Sequence, residues 1–181
     1  LTDPLPILHP ARAEADAAQL SATWGIVTHR FSRRQFALVN LHLFHERKSE
    51  SDNLVRDLQM LCVLDRIHGT HPDLPVIVGG DFNMYSSSVA SVLKTDQWND
   101  SRNRGFINTE SGQEPGTFNG FCESCMPKKK VDHILTRGFR VIEDSRVVLT
   151  RYDGAWPSDH CPVIVGLDFD IAQGTATNSD F

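Results

Sequence analysis

The sequence lacks an apolar run that could cross a membrane, because no stretch approaches the roughly 18 to 20 uninterrupted apolar residues that such a helix needs. It also opens without the charged and then apolar pattern of a signal peptide. Positive charge is not in excess either: the formal net charge of −5 does not favour the broad phosphate contact of non-specific nucleic-acid binders, although a local basic groove remains compatible with it. We therefore expect a soluble protein without a membrane span. Its compartment is undetermined, with the cytoplasm preferred.

Cysteine is scarce, since four residues in 181 are too few for a fold held together by disulfides. Cys122 and Cys125 form a C-x-x-C pair, but no second pair or adjacent histidine completes a zinc set. Two ordinary thiols in a loop are the preferred interpretation, and a metal knuckle or redox pair is the alternative. The length fits a single domain, 1–181, with 40% hydrophobic and 23% charged residues.

The hydrophobic pattern predicts a chain that mixes strands with two helices. Strands are expected at 24–27, 36–43, 76–78, 131–135, 139–142, 145–149 and 163–169. Helices are expected at 53–67, where apolar residues recur at near-helical spacing, and at 86–94. The remaining segments are predicted as a loop or short helix at 1–22, a long irregular segment at 99–130 and a frayed tail at 171–181.

Polar side chains follow or interrupt two of these strands at a spacing of two. Asn40 and His42 would share one face of their strand, because successive strand residues point to opposite sides. Asp81 and Asn83 repeat this spacing just after the apolar run 76–78. Each pair alone also fits a satisfied core histidine or a turn. Their joint occurrence at strand ends, where rigid sheets present catalytic groups, points to an active site.

Four ordered motifs together resemble the endonuclease/exonuclease/phosphatase superfamily, whose members include deoxyribonuclease I. The motifs are Leu38-Val39-Asn40-Leu41-His42-Leu43, Gly80-Asp81-Phe82-Asn83, Val131-Asp132-His133-Ile134 and Pro157-Ser158-Asp159-His160-Cys161-Pro162. The segment 116–120 is similar to that of small bacterial members. The resemblance covers about 24–169 and implies an α/β (α+β) fold, part of a four-layered α/β sandwich with mainly antiparallel sheets and the site at one edge.

The resemblance implies a role for each motif residue. Asp81 is similar to the carboxylate that orients or deprotonates the attacking water, and Asn83 to the residue that holds this water or a phosphate oxygen. His160 resembles the histidine on the scissile phosphate, and Asp132 the carboxylate that fixes its ring. A strand-opening aspartate also costs solvation energy unless it is paired, so we expect a hydrogen bond between Asp132 and His160. The neighbouring His133 would point away from the site.

The same resemblance extends to substrate and metal binding. His42 is similar to a second catalytic histidine that also contacts substrate, with Asn40 on the same face. Asp159 resembles a metal ligand, and Asp81 is the other expected ligand. Mg²⁺ is the expected cofactor and Mn²⁺ is the alternative. A hard cation and imidazolium groups stabilise the charge that develops on phosphate oxygens during in-line attack, and Mg²⁺ needs only one or two carboxylates.

The substrate implied by the motifs is a phosphodiester, with nucleic acid preferred and a lipid or inositol phosphate as the alternative. Lys128, Lys129 and Lys130 come shortly before Asp132, so their charges either lie at the rim of the site or belong to a solvated loop. Trp156 either stacks on a base or a sugar or packs against a neighbouring loop, and packing is the preferred interpretation.

Two N-terminal motifs of the superfamily are missing: a strand with an asparagine, and a Gln-Glu whose glutamate is a principal Mg²⁺ ligand. The chain is therefore either a fragment, whose N-terminal half is a separate covering segment or chain, or a degenerate and inactive scaffold relative. We prefer the fragment, because Leu1 is not a natural start and 24–27 has the pattern of a strand within a protein. An apolar sheet face would then need a cover.

Overall fold

Most of the apolar runs of the sequence form strands of one central sheet. A computed structural model describes residues 5–6, 21–45, 50–94, 106–110 and 114–170. In chain order the elements are β1 (Leu5–Pro6), β2 (Ser21–Thr28), β3 (Gln35–His42), α1 (Glu50–Thr70), β4 (Val76–Asp81), α2 (Ser86–Lys94), β5 (Ile107–Asn108), β6 (Asp132–Arg137), β7 (Phe139–Val147) and β8 (Val163–Phe169). Six strands pair in the order β1-β2-β3-β4-β6-β5, and β7 pairs with β8 in a second sheet. The predicted α/β fold with mainly antiparallel sheets is confirmed.

One face of the six-stranded sheet packs against both helices. The alternation predicted for β3 is confirmed: Val39 and Leu41 are buried, whereas Asn40 and His42 are exposed on the opposite face. The core on the buried face combines side chains of β3, β4, α1 and α2, among them Val76, Val78, Met60, Leu64, Ile67, Val89 and Val92. Each fully buried aliphatic side chain contributes about 1.5–3 kcal/mol relative to an exposed one, so this layer dominates the stability of the fold.

The parallel pair β3 and β4 is joined by α1, which crosses the sheet between them. The helix is longer than the predicted 53–67, and β4 continues beyond the predicted 76–78 through Gly79 and Gly80. The apolar run 76–78 is fully buried on one face only, because Ile77 on the other face is half-buried. Its side chain lines an open groove on the second face of the sheet.

That groove, with a volume of about 730 Å³, separates the two sheets. Its apolar lining comes from both sides and includes Leu38, Ile77, Ile134, Val163, Val165 and Leu167. The strands predicted at 139–142 and 145–149 are in fact the single strand β7. Register shifts between Val141 and Glu143 and between Glu143 and Arg146 let the polar stretch in the middle stay paired with β8.

The other departures from the predicted elements lie near the chain ends and in 99–130. The segment expected to be irregular contains β5 and an isolated bridge between Phe118 and Lys129. Residues 5–6 form a strand rather than a loop or helix, whereas most of 1–22 and the predicted tail 171–181 lie outside the described residues. In the described part of the chain, no helix is long and apolar enough to cross a membrane.

Replacing Gly80 with alanine tests the close approach of β3 and β4. The φ of Gly80 is +137°, and an added Cβ would come within 2.0 Å of the Leu41 carbonyl oxygen. We expect Gly80→Ala to lower the free energy of unfolding, measured by urea denaturation, by about 2 kcal/mol or more. Gly25→Ala is the matched control, because a Cβ there meets nothing within 4 Å. Equal losses in the two variants would contradict the close approach.

Candidate active site

Three neighbouring strands bring acidic and imidazole side chains to one edge of the sheet. In the register of the sheet, His42 on β3 lies opposite Asp81 on β4, and Asp81 lies opposite Asp132 on β6. Residues directly opposite each other point to the same face, so the three side chains converge. The distance from His42 Nε2 to Asp81 Oδ2 is 3.6 Å.

A tight turn after β4 fixes the next motif residue. The backbone N–H of Asn83 donates to Asp81 Oδ1 at 2.8 Å, and Asn83 has a φ of 49°, a conformation that asparagine tolerates better than most residues. Its side-chain amide donates to the Leu43 carbonyl at 3.0 Å, which ties this turn to the end of β3. Phe82, between the two polar residues, is fully buried and anchors the turn in the core.

His160 reaches the same place from the segment that precedes β8. Its Nδ1 lies 2.7 Å from Asp132 Oδ2, which confirms the predicted hydrogen bond, and its Nε2 lies 3.8 Å from Asp81 Oδ2. Asp81 and His160 therefore lie in one cleft. Because Asp132 accepts from Nδ1, the other ring nitrogen is left facing the cleft.

A short segment around Thr117, the strap, holds together the two residues of the Asp132–His160 dyad. The buried hydroxyl oxygen of Thr117 accepts hydrogen bonds from the backbone N–H groups of Val131, at 3.1 Å, and Asp132, at 3.2 Å. The Thr117 carbonyl accepts from the N–H of Cys161 at 2.7 Å. One residue of the strap thus fixes the start of β6 and the segment that carries His160.

Two groups of the cluster have shifted pKa values. Burial alone would lower the pKa of His160, but the hydrogen bond and charge of Asp132, with the charges of Asp81 and Asp159, raise it above its ordinary value. The pKa of Asp81 is raised chiefly by burial and also by the charge of Asp132, against the lowering effect of the Asn83 N–H. The site thus favours a charged imidazole and a carboxylate that takes up a proton more readily than usual.

The donor set of the cluster fits a divalent cation. Asp81, Asp132 and His160 each offer a ligand atom, and these atoms lie within 4.8 Å of one another. Two carboxylates this close repel each other, and a bound cation would relieve the repulsion that raises the pKa of Asp81. Asp159, predicted as a metal ligand, is not part of this group, although its charge acts on His160.

The predicted site residues other than Asp159 line two adjoining cavities. A cleft of about 410 Å³ is lined by His42, His45, Asp81, Asn83, Phe118, Lys129, Val131 and His160. Asn40 instead lines the inter-sheet groove, which also reaches Asp132 and His160. The structure therefore brings together His42, Asp81, Asn83, Asp132 and His160, and places Asn40 beside them.

Several residues of this site were not predicted from the sequence. His45 and Phe118 line the cleft, and Thr117 supports Asp132 from behind. The signal for His45 was its position three residues after His42. The segment 116–120 showed only a family likeness in the sequence. Nothing in its composition indicated that it forms hydrogen bonds both to Asp132 and to the segment that carries His160.

The three lysines before Asp132 have different environments. Lys129 lines the cleft and Lys128 is exposed, as expected for a rim, but Lys130 is buried. Its Nζ lies 3.5 Å from Glu110 and 3.7 Å from Glu114, so a rim position for Lys130 is wrong. The alternation of side chains at the start of β6 turns Lys130 away from the cleft.

His133 points away from the cleft, as predicted, into the same buried cluster. Its Nδ1 hydrogen-bonds to Glu110, and its Nε2 lies 2.7 Å from the Met84 carbonyl. Burial alone would raise the pKa of Glu110, but the hydrogen bond and charge of His133, with Ser86 and Lys130, lower it to about 2. Through the Met84 carbonyl, this cluster is attached to the turn that carries Asp81 and Asn83.

The C-x-x-C pair forms a disulfide, so the expectation of two ordinary thiols is wrong. Spacing alone does not separate the alternatives, because the turn that brings the two sulfur atoms together is set by the surrounding loop. Trp156 packs against this loop, as the preferred interpretation held: it is buried and donates from Nε1 to the Cys122 carbonyl at 2.8 Å.

Comparison with known proteins agrees with this geometry. A model of the Endonuclease/Exonuclease/phosphatase family matches residues 9–160 of the chain. The chain belongs to this family. Members of the Endonuclease/Exonuclease/phosphatase family are generally hydrolytic phosphoesterases, and divalent metals are their usual cofactors. No curated protein gives a significant match to the sequence.

Solved structures show the family fold. A conserved protein of unknown function from Enterococcus faecalis is 23% identical, with a TM-score of 0.69 over 90% of this chain and 60% of that one. D. rerio TDP2, solved with a single-strand DNA product, is 18% identical, with a TM-score of 0.66 over 92% and 66%. A mannosyl-6-phosphatase from Bacteroides thetaiotaomicron is 23% identical, with a TM-score of 0.58 over 83% and 57%. The chain thus spans about 60% of the length of these structures.

Replacing Asp132 with asparagine tests the electrostatics of the dyad. Asp132 supplies the hydrogen bond and the charge that raise the pKa of His160. We expect Asp132→Asn to lower that pKa, so that the imidazolium is lost at lower pH, as measured from the pH dependence of the ring NMR signals in metal-free protein. Asp168→Asn is the control, because Asp168 pairs with Arg140 on the exposed surface. An unchanged titration of His160 in Asp132→Asn would contradict the assignment.

Proposed function

We propose that this site hydrolyses phosphodiester bonds with the help of a divalent cation, and that nucleic acid is its substrate. The observation that carries the proposal is the dyad: Asp132 holds the His160 ring by a hydrogen bond of 2.7 Å, and the second ring nitrogen faces Asp81 across the cleft at 3.8 Å. The DNA product in TDP2 favours nucleic acid. The mannosyl-6-phosphatase makes a sugar phosphate the alternative.

His160 stabilises charge on the phosphate. Its raised pKa favours the imidazolium, which donates from Nε2 to a non-bridging phosphate oxygen as negative charge develops there. Asp132 fixes the ring orientation, so no reorganisation is needed during the reaction. His42, on the other side of Asp81, offers a second imidazole to the phosphate, and the exposed Asn40, two residues before it on the same face of β3, contacts substrate.

Asp81 accepts the proton of the attacking water. Its carboxylate lies 3.6 Å from His42 Nε2 and 3.8 Å from His160 Nε2, so a water beside it is oriented between the two imidazoles that face the phosphate. The Asn83 N–H holds one carboxylate oxygen, which leaves the other, Oδ2, facing the two histidines. Asn83 itself lines the cleft, where it positions the water or a phosphate oxygen.

Asp81 would hold the cation, with Asp132 or Asp159 as a second carboxylate. Mg²⁺ suits this oxygen-rich set, and Mn²⁺ is the alternative. When bound, the cation supplies positive charge to phosphate oxygens and lowers the pKa of a coordinated water. Isothermal titration with Mg²⁺ tests the site without activity: Asp81→Asn should weaken binding, and Asp168→Asn should leave it unchanged.

Hydrolysis of a panel of substrates tests the function. Two proteins are assayed: this chain, and a longer polypeptide in which further residues precede the chain. The panel contains bis-p-nitrophenyl phosphate, a DNA oligonucleotide, sphingomyelin and an inositol polyphosphate. We expect the oligonucleotide to be cleaved with Mg²⁺ and not with EDTA. Asp132→Asn should lower turnover by roughly 10²- to 10⁴-fold, the scale of one positioned acid–base partner, whereas the surface variant Asp168→Asn should not.

Other results would redirect the proposal. Cleavage of sphingomyelin or the inositol phosphate alone would assign a lipid or sugar phosphate. Failure on every substrate with both polypeptides, together with no Mg²⁺ binding, would identify an inactive scaffold relative.

We also propose that a further segment or chain covers the inter-sheet groove. Leu38, 45% exposed, lines this groove, and the similar solved structures are longer than this chain. The chain alone should bind the apolar dye ANS, and Leu38→Ser should reduce the binding. Ile164→Ser is the matched control, because Ile164, 40% exposed, lies on the opposite face of β8 from the groove-lining Val163 and Val165. An extended polypeptide that binds as much dye as the chain would contradict the proposal.

A further inference from the structure

A third cavity, distinct from the inter-sheet groove, opens directly beside the cleft. It has a volume of about 500 Å³ and is lined by Phe118, Asn119, Cys122, Ser124, Cys125, Met126, Lys128 and Lys129. Phe118 and Lys129 line the cleft as well, so the two cavities adjoin. The proposed roles of the dyad, Asp81 and His42 make no use of this third cavity.

The lining combines apolar side chains that are exposed to water with positive charge. Phe118 is 37% exposed and Met126 55% exposed, although both are side chains that folding normally buries. Lys128 and Lys129 are exposed beside them, on a chain whose formal net charge is −5. A ring face, a polarisable thioether and two ammonium groups together suit a ligand that is planar, aromatic and anionic.

The loop that forms this cavity is rigidly held. The Cys122–Cys125 disulfide closes it, and Trp156 donates to the Cys122 carbonyl at 2.8 Å. Arg151 stacks on Trp156 at 4.3 Å and donates to the Cys125 carbonyl at 3.2 Å. A preorganised loop loses little conformational entropy on binding, which is a property of binding sites rather than of loose surface loops.

The ring of Phe118 lies between this cavity and the Asp132–His160 dyad. It packs edge-on against the His160 ring, with the ring centroids 5.1 Å apart. The cavity therefore lies within reach of a group attached to a phosphate at His160. A lipid chain would need a continuous apolar wall, whereas Asn119, Ser124 and the lysines interrupt this one.

We propose that this cavity, the Phe118 subsite, binds the base of a nucleotide whose phosphate occupies the cleft. The base lies between the Phe118 ring and the Met126 thioether, and Lys128 attracts the next phosphate of the strand. The inference rests on the proposed phosphodiesterase function for the position of the phosphate. It adds the residues that recognise the adjoining nucleotide, which the dyad does not determine.

Two ligands that differ only in the base test the subsite by calorimetry. The probes are thymidine 5′-monophosphate and 2-deoxyribose 5-phosphate, with Mg²⁺ present throughout. We expect the nucleotide to bind about 5- to 100-fold more tightly than the sugar phosphate, the range for one base stacked on an aromatic side chain. Equal affinities would overturn the subsite.

Matched variants separate the subsite from the cleft. Phe118→Leu keeps the apolar bulk and loses the ring, and Met126→Ser changes a residue that the cleft lining does not include. Phe118→Leu should reduce the preference for the nucleotide to about 2-fold or less. Met126→Ser should reduce the preference several-fold while the affinity for the sugar phosphate is kept. Phe31→Leu is the control, because Phe31, 88% exposed, lies in the β2–β3 turn beyond the opposite end of β3 from His42. If both Phe118→Leu and Met126→Ser keep the wild-type preference for the nucleotide over the sugar phosphate, the proposal is overturned.

The disulfide offers an independent variant. Cys122→Ser with Cys125→Ser should lower the preference for the nucleotide several-fold without changing binding of the sugar phosphate, because only the loop is loosened. Hydrolysis of bis-p-nitrophenyl phosphate separates the two proposals. If wild type hydrolyses it but shows no preference for the base, the subsite is wrong and the function stands. If base-dependent binding occurs without hydrolysis of any substrate, the function is wrong and the subsite stands.

Discussion

The site depends on the register of three strands. Because β3 and β4 are parallel and β6 runs antiparallel to β4, the ends that carry His42, Asp81 and Asp132 meet at one edge of the sheet. A slip of one residue in any strand would turn its polar side chain into the helix-facing core and an apolar side chain into the cleft. The core therefore enforces the site: burial of Val39 and Val78 on one face fixes which side chains stand on the other.

The second half of the site is held by polar contacts instead of by register. Thr117 binds two N–H groups at the start of β6 and, through its carbonyl, the segment that carries His160. Beneath the sheet, His133 and Lys130 meet Glu110 in a buried cluster whose charges compensate one another. Buried charges are costly unless paired, so this cluster holds the start of β6 in one arrangement and thereby limits the movement of Asp132.

Sequence patterns predicted the parts that depend on local periodicity. The alternation in β3, the helix at 86–94 and the strand at 163–169 follow from side-chain spacing, and the structure agrees with each. The hydrogen bond between Asp132 and His160 was predicted from motif order and the cost of an unpaired carboxylate. Long-range details could not be predicted in this way. The burial of Lys130, the support from Thr117 and the Cys122–Cys125 disulfide depend on segments that meet only in the folded chain.

The charges at the edge of the sheet also indicate what the cleft needs. Asp81 and Asp132 face each other across neighbouring strands, and Asp159 adds a third negative charge near His160. One imidazolium does not balance three carboxylates, so a phosphodiester approaching this edge would be repelled unless further positive charge were present. Lys129 supplies part of that charge from the rim, and a divalent cation at Asp81 would supply the remainder. The excess of carboxylates therefore supports the proposed divalent cation on electrostatic grounds that are independent of family membership.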